Sequence, residues 1–204
     1  MPGQNKEDTI IWDYLKGLTD DYPHRFMDVG GFHPTIFSNT RILVEASWKG
    51  VYVEPAPSNF TGFLNEYRMN HDIVLVNSAV ASVSTVANFY DSEGDALSSL
   101  SFKHAEFYHA AYQTRFRAYL TKTITWGELL DAIKIESEPI SVLSLDVESL
   151  NKELFDLLPI ERLLPHLRVF VVEHYGHVVA MLDKLSPFGF RQHHFNGENV
   201  IFVR

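Results

Sequence analysis

Short apolar runs of strand length alternate along the chain with stretches in which apolar residues return every three or four positions. That alternation predicts β-α-β units around a mostly parallel sheet. Ile10, Ile11, Tyr14, Leu15 and Leu18 give an amphipathic leading helix within residues 1–22, ending near Asp20-Asp21-Tyr22-Pro23. Arg25-Phe-Met-Asp28 is an apolar strand that ends in an acid and opens into the turn Val29-Gly-Gly-Phe-His33. Thr40 to Trp48 carries Ile42, Leu43 and Ala46 at helix-like spacing, and Gly50-Val-Tyr-Val-Glu54 is a second strand ending in an acid. A right-handed crossover between the two strands brings Asp28, Gly30, Gly31 and Glu54 to one sheet edge. Pro55 and Pro57 lead into a helix marked by Phe60, Phe63, Leu64 and Tyr67. Asp72 to Asn77 reads as a buried strand and Val86 to Tyr90 as a shorter strand on the sheet's rim.

Residues 91–120 interrupt this regularity with a turn-rich start and then many aromatic residues, from Phe107 to Tyr119. The segment reads as a lid or substrate-contacting region, or equally as a short helix packing its aromatics on the core. Pattern returns at Lys122 to Thr125, where Thr125 and Glu128 match a capping box before Leu129, Leu130 and Ile133. Ile140 to Asp146 is a buried strand ending in an acid, with Glu148 two residues on, and Arg168 to Glu173-His174 repeats that design. Phe190 to Phe195 and Val200 to Val203 flank Asn196-Gly197, the preferred pair for a two-residue type I′ turn, which predicts a terminal antiparallel hairpin. The chain carries no repeat or linker, so 1–204 is expected to form one domain.

Composition narrows the partners. A formal net charge of -9, from 17 Lys and Arg against 26 Asp and Glu, argues against nucleic acid, whose binders gather Lys and Arg on the phosphate backbone. Cysteine is absent, which excludes disulfides and thiolate metal sites. The polar N-terminus lacks a signal-peptide core and no apolar run is long enough to span a bilayer, so a soluble cytoplasmic protein without a membrane partner is expected.

Four strands end in acids, Asp28, Glu54, Asp146 and Glu173, and parallel strands gather those ends on one cleft. An acidic cleft suits a cation. S-adenosylmethionine offers a sulfonium, an ammonium and a ribose diol, and has no pyrophosphate. A nicotinamide dinucleotide does have one, and Asp28-Val-Gly-Gly-Phe-His33 is a poor match to the Gly-x-Gly-x-x-Gly turn that cradles it. Methyl transfer is therefore favoured over a NAD-dependent oxidoreductase of Rossmann type. A catalytically silent cofactor-binding module is the third reading.

In Phe26-Met-Asp-Val-Gly-Gly-Phe-His-Pro34, Phe37-Ser-Asn-Thr40, Trp48-Lys-Gly-Val-Tyr-Val-Glu-Pro55, Asn77-Ser-Ala-Val80, Leu145-Asp-Val-Glu148 and Val172-Glu-His174 the chain resembles the FkbM-like S-adenosylmethionine-dependent methyltransferases. The resemblance implies a class I methyltransferase (Rossmann-like) three-layer α/β sandwich, its seven-stranded sheet mostly parallel with a C-terminal antiparallel hairpin. It also implies O-methylation of a small molecule or saccharide. It places Asp28 and Gly30, with Gly31 beside them, under the methionine part of the cofactor, Glu54 on the ribose, and Asn77 and Ser78 on the adenine side. Asp146 falls next to the methyl group. Ser38, Asn39 and Thr40 match a polar motif beside the cofactor, a role that helix capping explains equally well. Where the family usually has glycine after Asp-Val-Glu, this chain has Ser149.

Methyl transfer to a hydroxyl is an in-line displacement that needs an aligned acceptor and a group to take its proton. His174 is the preferred general base, the alternative being a hydrogen-bonded histidine at a strand end. Asp146 and Glu148 are read as orienting the acceptor or taking its proton, with helix capping an alternative for Glu148. A divalent cation on Asp146, Glu173 and His174 is the less favoured possibility, and no metal is assigned. His193 and His194 read as surface or strand residues. The acceptor pocket is expected from 91–120; acceptor identity and oligomeric state are not legible.

Overall fold

A computed structural model describes residues 3–204; residues 1 and 2, which begin the polar N-terminal stretch, lie outside the described residues. The elements follow in the order α1 (Glu7–Lys16), β1 (Arg25–Val29), α2 (Arg41–Glu45), β2 (Lys49–Val53), α3 (Pro57–Tyr67), β3 (Ile73–Val76), β4 (Ala79–Val80), β5 (Val86–Asp91) and α4 (Phe102–Tyr112). After them come β6 (Arg117–Ile124), α5 (Trp126–Ala132), β7 (Val142–Leu145), α6 (Asn151–Leu157), β8 (Val169–Glu173), α7 (Val178–Leu185), β9 (Arg191–Phe195) and β10 (Asn199–Val203).

Seven strands form one sheet in the order β3-β2-β1-β7-β8-β10-β9. β1, β2, β3, β7 and β8 run parallel. β10 is antiparallel to both β8 and β9. The fold class expected from the sequence is the one observed: a three-layer α/β sandwich, mostly parallel, closed by an antiparallel hairpin. Burial explains the layers. Alternate residues of the central strands feed two cores, one with Met27, Leu143, Phe170 and Phe202 against α5, α6 and α7, the other with Phe26, Tyr52, Val171 and Ile201 against α1, α2 and α3. Strands covered on both faces have no polar face to show, which is why they read as unbroken apolar runs. Thr125 and Glu128 form the expected capping box at the start of α5.

Some local expectations are corrected. β3 is an edge strand, with Val74 44% exposed, so Asp72 to Asn77 is not buried throughout. Val86 to Tyr90 does not rim the main sheet. It belongs to a second sheet, β4-β6-β5, in which β5 pairs antiparallel with β6. The strand expected from Lys122 begins at Arg117, because the alternation in β6 is masked by its exposure on both faces. α1 stops at Lys16, ahead of the Asp20–Pro23 stretch. The terminal hairpin forms, but its turn is not type I′: neither Asn196 nor Gly197 has a positive φ. The Asn196 side-chain oxygen instead accepts from the Glu198 and Asn199 N–H groups, at 2.8 and 2.7 Å. An asparagine side chain replaces the backbone turn there. No helix among the described residues is long and apolar enough to cross a membrane.

Strand order reverses direction between β1 and β7, since the chain builds outward from β1 through β2 and β3 and then returns to β1's other side. Connections that diverge in this way leave a crevice at the C-terminal ends of the strands.

Candidate active site

That crevice holds a cavity of about 330 Å³. Its floor is the turn after β1. Gly30 donates its N–H to the Val53 carbonyl at 2.9 Å and sits at φ +84. A Cβ on Gly30 would lie 1.6 Å from the Asp146 carbonyl oxygen, so the turn lies directly against the end of β7. Beside it, Glu54 is buried and accepts the Phe32 N–H at 3.0 Å through one oxygen and the Ala56 N–H at 2.8 Å through the other. Burial pushes its carboxyl up to about 8, against the pull of those N–H groups. Asp28 is likewise buried and raised to about 6, with the Thr40 hydroxyl donating to it at 2.7 Å. A ligand hydroxyl or cation that reaches Glu54 restores what burial removed, the environment expected where a ribose diol binds.

The opposite wall is acidic. Asp146, Glu148 and Glu173 each bring an oxygen within 4.8 Å of the others. Burial raises all three carboxyls, Glu148 to about 8 and Glu173 to about 9, with Asp146's charge pushing both further. The Tyr175 hydroxyl donates to Glu148 at 2.8 Å, and the Asn151 amide donates to Glu173 at 2.8 Å while its oxygen accepts the Val147 N–H. Glu148 has φ 60 and Tyr175 φ 42. Phe32 and Phe37, which line the cavity, are also left-handed, at φ 48 and 56. Strain of this kind persists where surrounding structure enforces it, and it gathers here around one cavity.

With Asp95 and Glu198, the lining includes seven carboxylates: Asp28, Glu54, Asp95, Asp146, Glu148, Glu173 and Glu198. Among the described residues, no Lys, Arg or His lines it. Residues 95–100 and Tyr108 form part of the wall, so the segment 91–120 does reach the cavity. Its aromatics do not pack on the core, since Phe102, Phe107 and Tyr112 of α4 are more than half exposed.

No family model matches the chain, and no curated protein matches it. Among solved structures, a proposed tRNA (m1A22) methyltransferase from Streptococcus pneumoniae aligns over the whole chain and 70% of its own length, at 10% identity and TM-score 0.49. A SAM-dependent methyltransferase from Agrobacterium tumefaciens aligns over 96% of this chain and 61% of its own, at 9% identity and TM-score 0.48. An FkbM methyltransferase from Methylobacillus flagellatus aligns over the whole chain and 48% of its own length, at 10% identity and TM-score 0.47.

The residues expected at the site divide. Asp28, Gly30, Gly31, Asn39, Glu54, Ser78, Asp146 and Glu148 line the cavity; Ser38, Thr40, Asn77 and His174 do not. Ser38 accepts the Arg41 N–H at 3.1 Å just ahead of α2, whereas Thr40 holds Asp28. Asn77 donates to the Glu54 and Pro55 carbonyls, bracing the end of β2. Glu148 does not cap α6; it sits in a 3-10 turn before it. His174 is held by backbone groups. Its Nδ1 accepts the Gly176 N–H at 2.9 Å and its Nε2 lies 3.1 Å from the Asn196 carbonyl, so the ring is the neutral tautomer with both nitrogens engaged. No lone pair remains for an acceptor's proton. His174→Ala is expected to cost about 1–3 kcal/mol of stability, because two hydrogen bonds of about 0.5–1.5 kcal/mol each, to the half-buried Asn196 carbonyl and the Gly176 N–H, are lost. Cofactor-product affinity is expected to stay within about twofold; calorimetry and urea unfolding on the same variant separate the two, and a large affinity loss without a stability loss would place the ring in the cofactor site instead.

Sequence reading missed Asn59, Asn151, Tyr175, Glu198 and Asn199, while Tyr108 falls within the segment 91–120 expected to reach the acceptor. Tyr175 follows Glu173-His174 directly and Asn151 is three residues past Glu148, so proximity along the chain was the available signal. Asn199 faces Glu173 across the β8–β10 pair, a register that emerges only with the hairpin.

Proposed function

We propose that the chain is an S-adenosylmethionine-dependent methyltransferase that transfers a methyl group to a hydroxyl oxygen of a small molecule or saccharide. The observation that carries this reading is the cavity lining: seven carboxylates and, among the described residues, no basic side chain, beside a glycine turn and a buried acid at the ends of β1 and β2. A sulfonium and an ammonium are stabilised in that field. A pyrophosphate is repelled by it, which weighs against a nicotinamide dinucleotide and, with the chain's charge of -9, against a nucleic-acid acceptor. Gly30 lets the cofactor approach the backbone, Glu54 accepts the ribose hydroxyls, and Ser78 lies on the adenine side. Asp146 and Glu148 orient the acceptor hydroxyl; His174 braces the hairpin.

Isothermal titration of the purified chain with S-adenosylmethionine and S-adenosylhomocysteine tests the proposal. Binding of both with one site per chain is the expected result. Absence of heat with either, alongside binding of NADH, would establish the oxidoreductase reading instead. Binding without turnover across hydroxyl acceptors would favour a silent module.

A further inference from the structure

We infer that Asp146, Glu148 and Glu173 form a binding site for one hard divalent cation, with the amide oxygen of Asn199 as a fourth oxygen donor. Three carboxylate oxygens mutually within 4.8 Å match the spread of ligands around a single ion at metal–oxygen distances of about 2.0–2.6 Å. The three side chains come from two different strand ends, after β7 and on β8, so adjacency in sequence does not explain their convergence.

Nothing basic balances them. None of the three takes part in an ion pair among the described residues, and the further acids Glu198 and Asp95 share their cavity. Both glutamates are steadied by neutral donors, Tyr175 on Glu148 and Asn151 on Glu173. Donors of that kind fix the orientation of carboxylate ligands without supplying the missing positive charge.

Asn199 provides an independent sign of a ligand. It is 7% exposed, and its Oδ1 is a buried side-chain oxygen with no hydrogen-bond partner. It lines the same cavity and stands directly opposite Glu173 in the β8–β10 pair, on the same face of the sheet. Its Nδ2 donates at 3.1 Å to Glu7, which does not line the cavity, so the carbonyl oxygen is the end of the amide left without a partner. A buried amide oxygen without a donor costs stability. A cation, directly or through one of its waters, supplies what it lacks.

The donor set is all oxygen, which selects Mg²⁺, Mn²⁺ or Ca²⁺ over zinc. His174, with both nitrogens engaged, is not a ligand. The site stands on geometry alone and does not require the transfer reaction, so the two proposals fail separately.

The test is titration of the full cofactor-free chain with Mn²⁺, followed by the electron paramagnetic resonance signal of free ion. One Mn²⁺ per chain, displaced by Mg²⁺, is expected. Glu173→Gln keeps an acceptor for Asn151 and Glu148→Gln keeps one for Tyr175, so both are chosen to preserve folding; circular dichroism in EDTA checks that they do. Each is expected to weaken Mn²⁺ binding about tenfold or more, while Glu66→Gln, on the outer face of α3, leaves it unchanged. Absence of binding into the millimolar range would overturn the inference and leave the three carboxylates neutralised by protons. Binding that survives both substitutions would place the ion elsewhere and overturn it equally.

Discussion

Gly30→Ala is expected to destabilise the ligand-free protein by about 3–5 kcal/mol and to abolish cofactor binding. Two costs combine. At φ +84 an L side chain is strained by about 1–2 kcal/mol before it meets anything. The added methyl would then sit 1.6 Å from the Asp146 carbonyl oxygen and 2.6 Å from its carbon. These are backbone atoms at the end of β7, held in register with β1, and cannot rotate away as a side-chain tip would. Relief requires the ends of β1 and β7 to part at the point where the cavity floor is made. Gly31→Ala is the comparison. Its Cβ would lie 3.0 Å from the edge of the Phe63 ring, with no positive φ, so a small ring shift relieves it and about 1 kcal/mol is expected. Urea unfolding of both variants reads the difference; equal losses would show that the close approach at Gly30 is not what fixes the floor.

Why the chain's patterning disclosed so much of this fold is a matter of burial. β1, β7, β8 and β10 are covered on both faces, which forces apolar runs, and the acids Asp28, Asp146 and Glu173 at the ends of the first three stand out against them. The part of the cavity around Asp28, Gly30 and Glu54 was legible for the same reason: these residues sit at the ends of two neighbouring strands joined by one crossover. Where the cavity depends on the pairing of distant segments, the signal fades. Asn199 reaches Glu173 through an antiparallel register set by a turn that an asparagine side chain shapes, and no local pattern encodes that. His174 illustrates the opposite failure. Its position after Glu173 suggested chemistry, but the backbone folds back so that Gly176 and Asn196 occupy both ring nitrogens. Ser149, where the resemblance leads one to expect glycine, lies exposed in the 3-10 turn, and the left-handed residue there is Glu148.

Glu54→Gln is expected to weaken S-adenosylhomocysteine binding by about 10–100-fold, the loss of a charge-assisted acceptor for the ribose hydroxyls. The substitution also turns an amide NH₂ toward one of two backbone donors, Phe32 or Ala56, so one of those bonds is lost. The pH dependence identifies the cause. In the empty cavity Glu54 holds its proton up to about pH 8, and hydroxyl donors favour the ionised form, so binding releases that proton. Affinity therefore rises with pH below about 8 and levels above it, by about tenfold between pH 7 and 9, one pH unit below the shifted value amounting to about 1.4 kcal/mol. Methylthioadenosine, which has the ribose diol but no group titrating in that window, is the suitable ligand. Stability of the ligand-free protein moves the other way. The folded-state carboxyl titrates above its unfolded value, so its contribution is complete near pH 4.5, erodes as pH rises, and is lost above about pH 8. A melting temperature that falls toward pH 8.5 in the free protein and recovers with ligand is the expected pair of observations. Affinity that is flat with pH in the native chain, or that keeps its slope in Glu54→Gln, would remove Glu54 as the ribose partner.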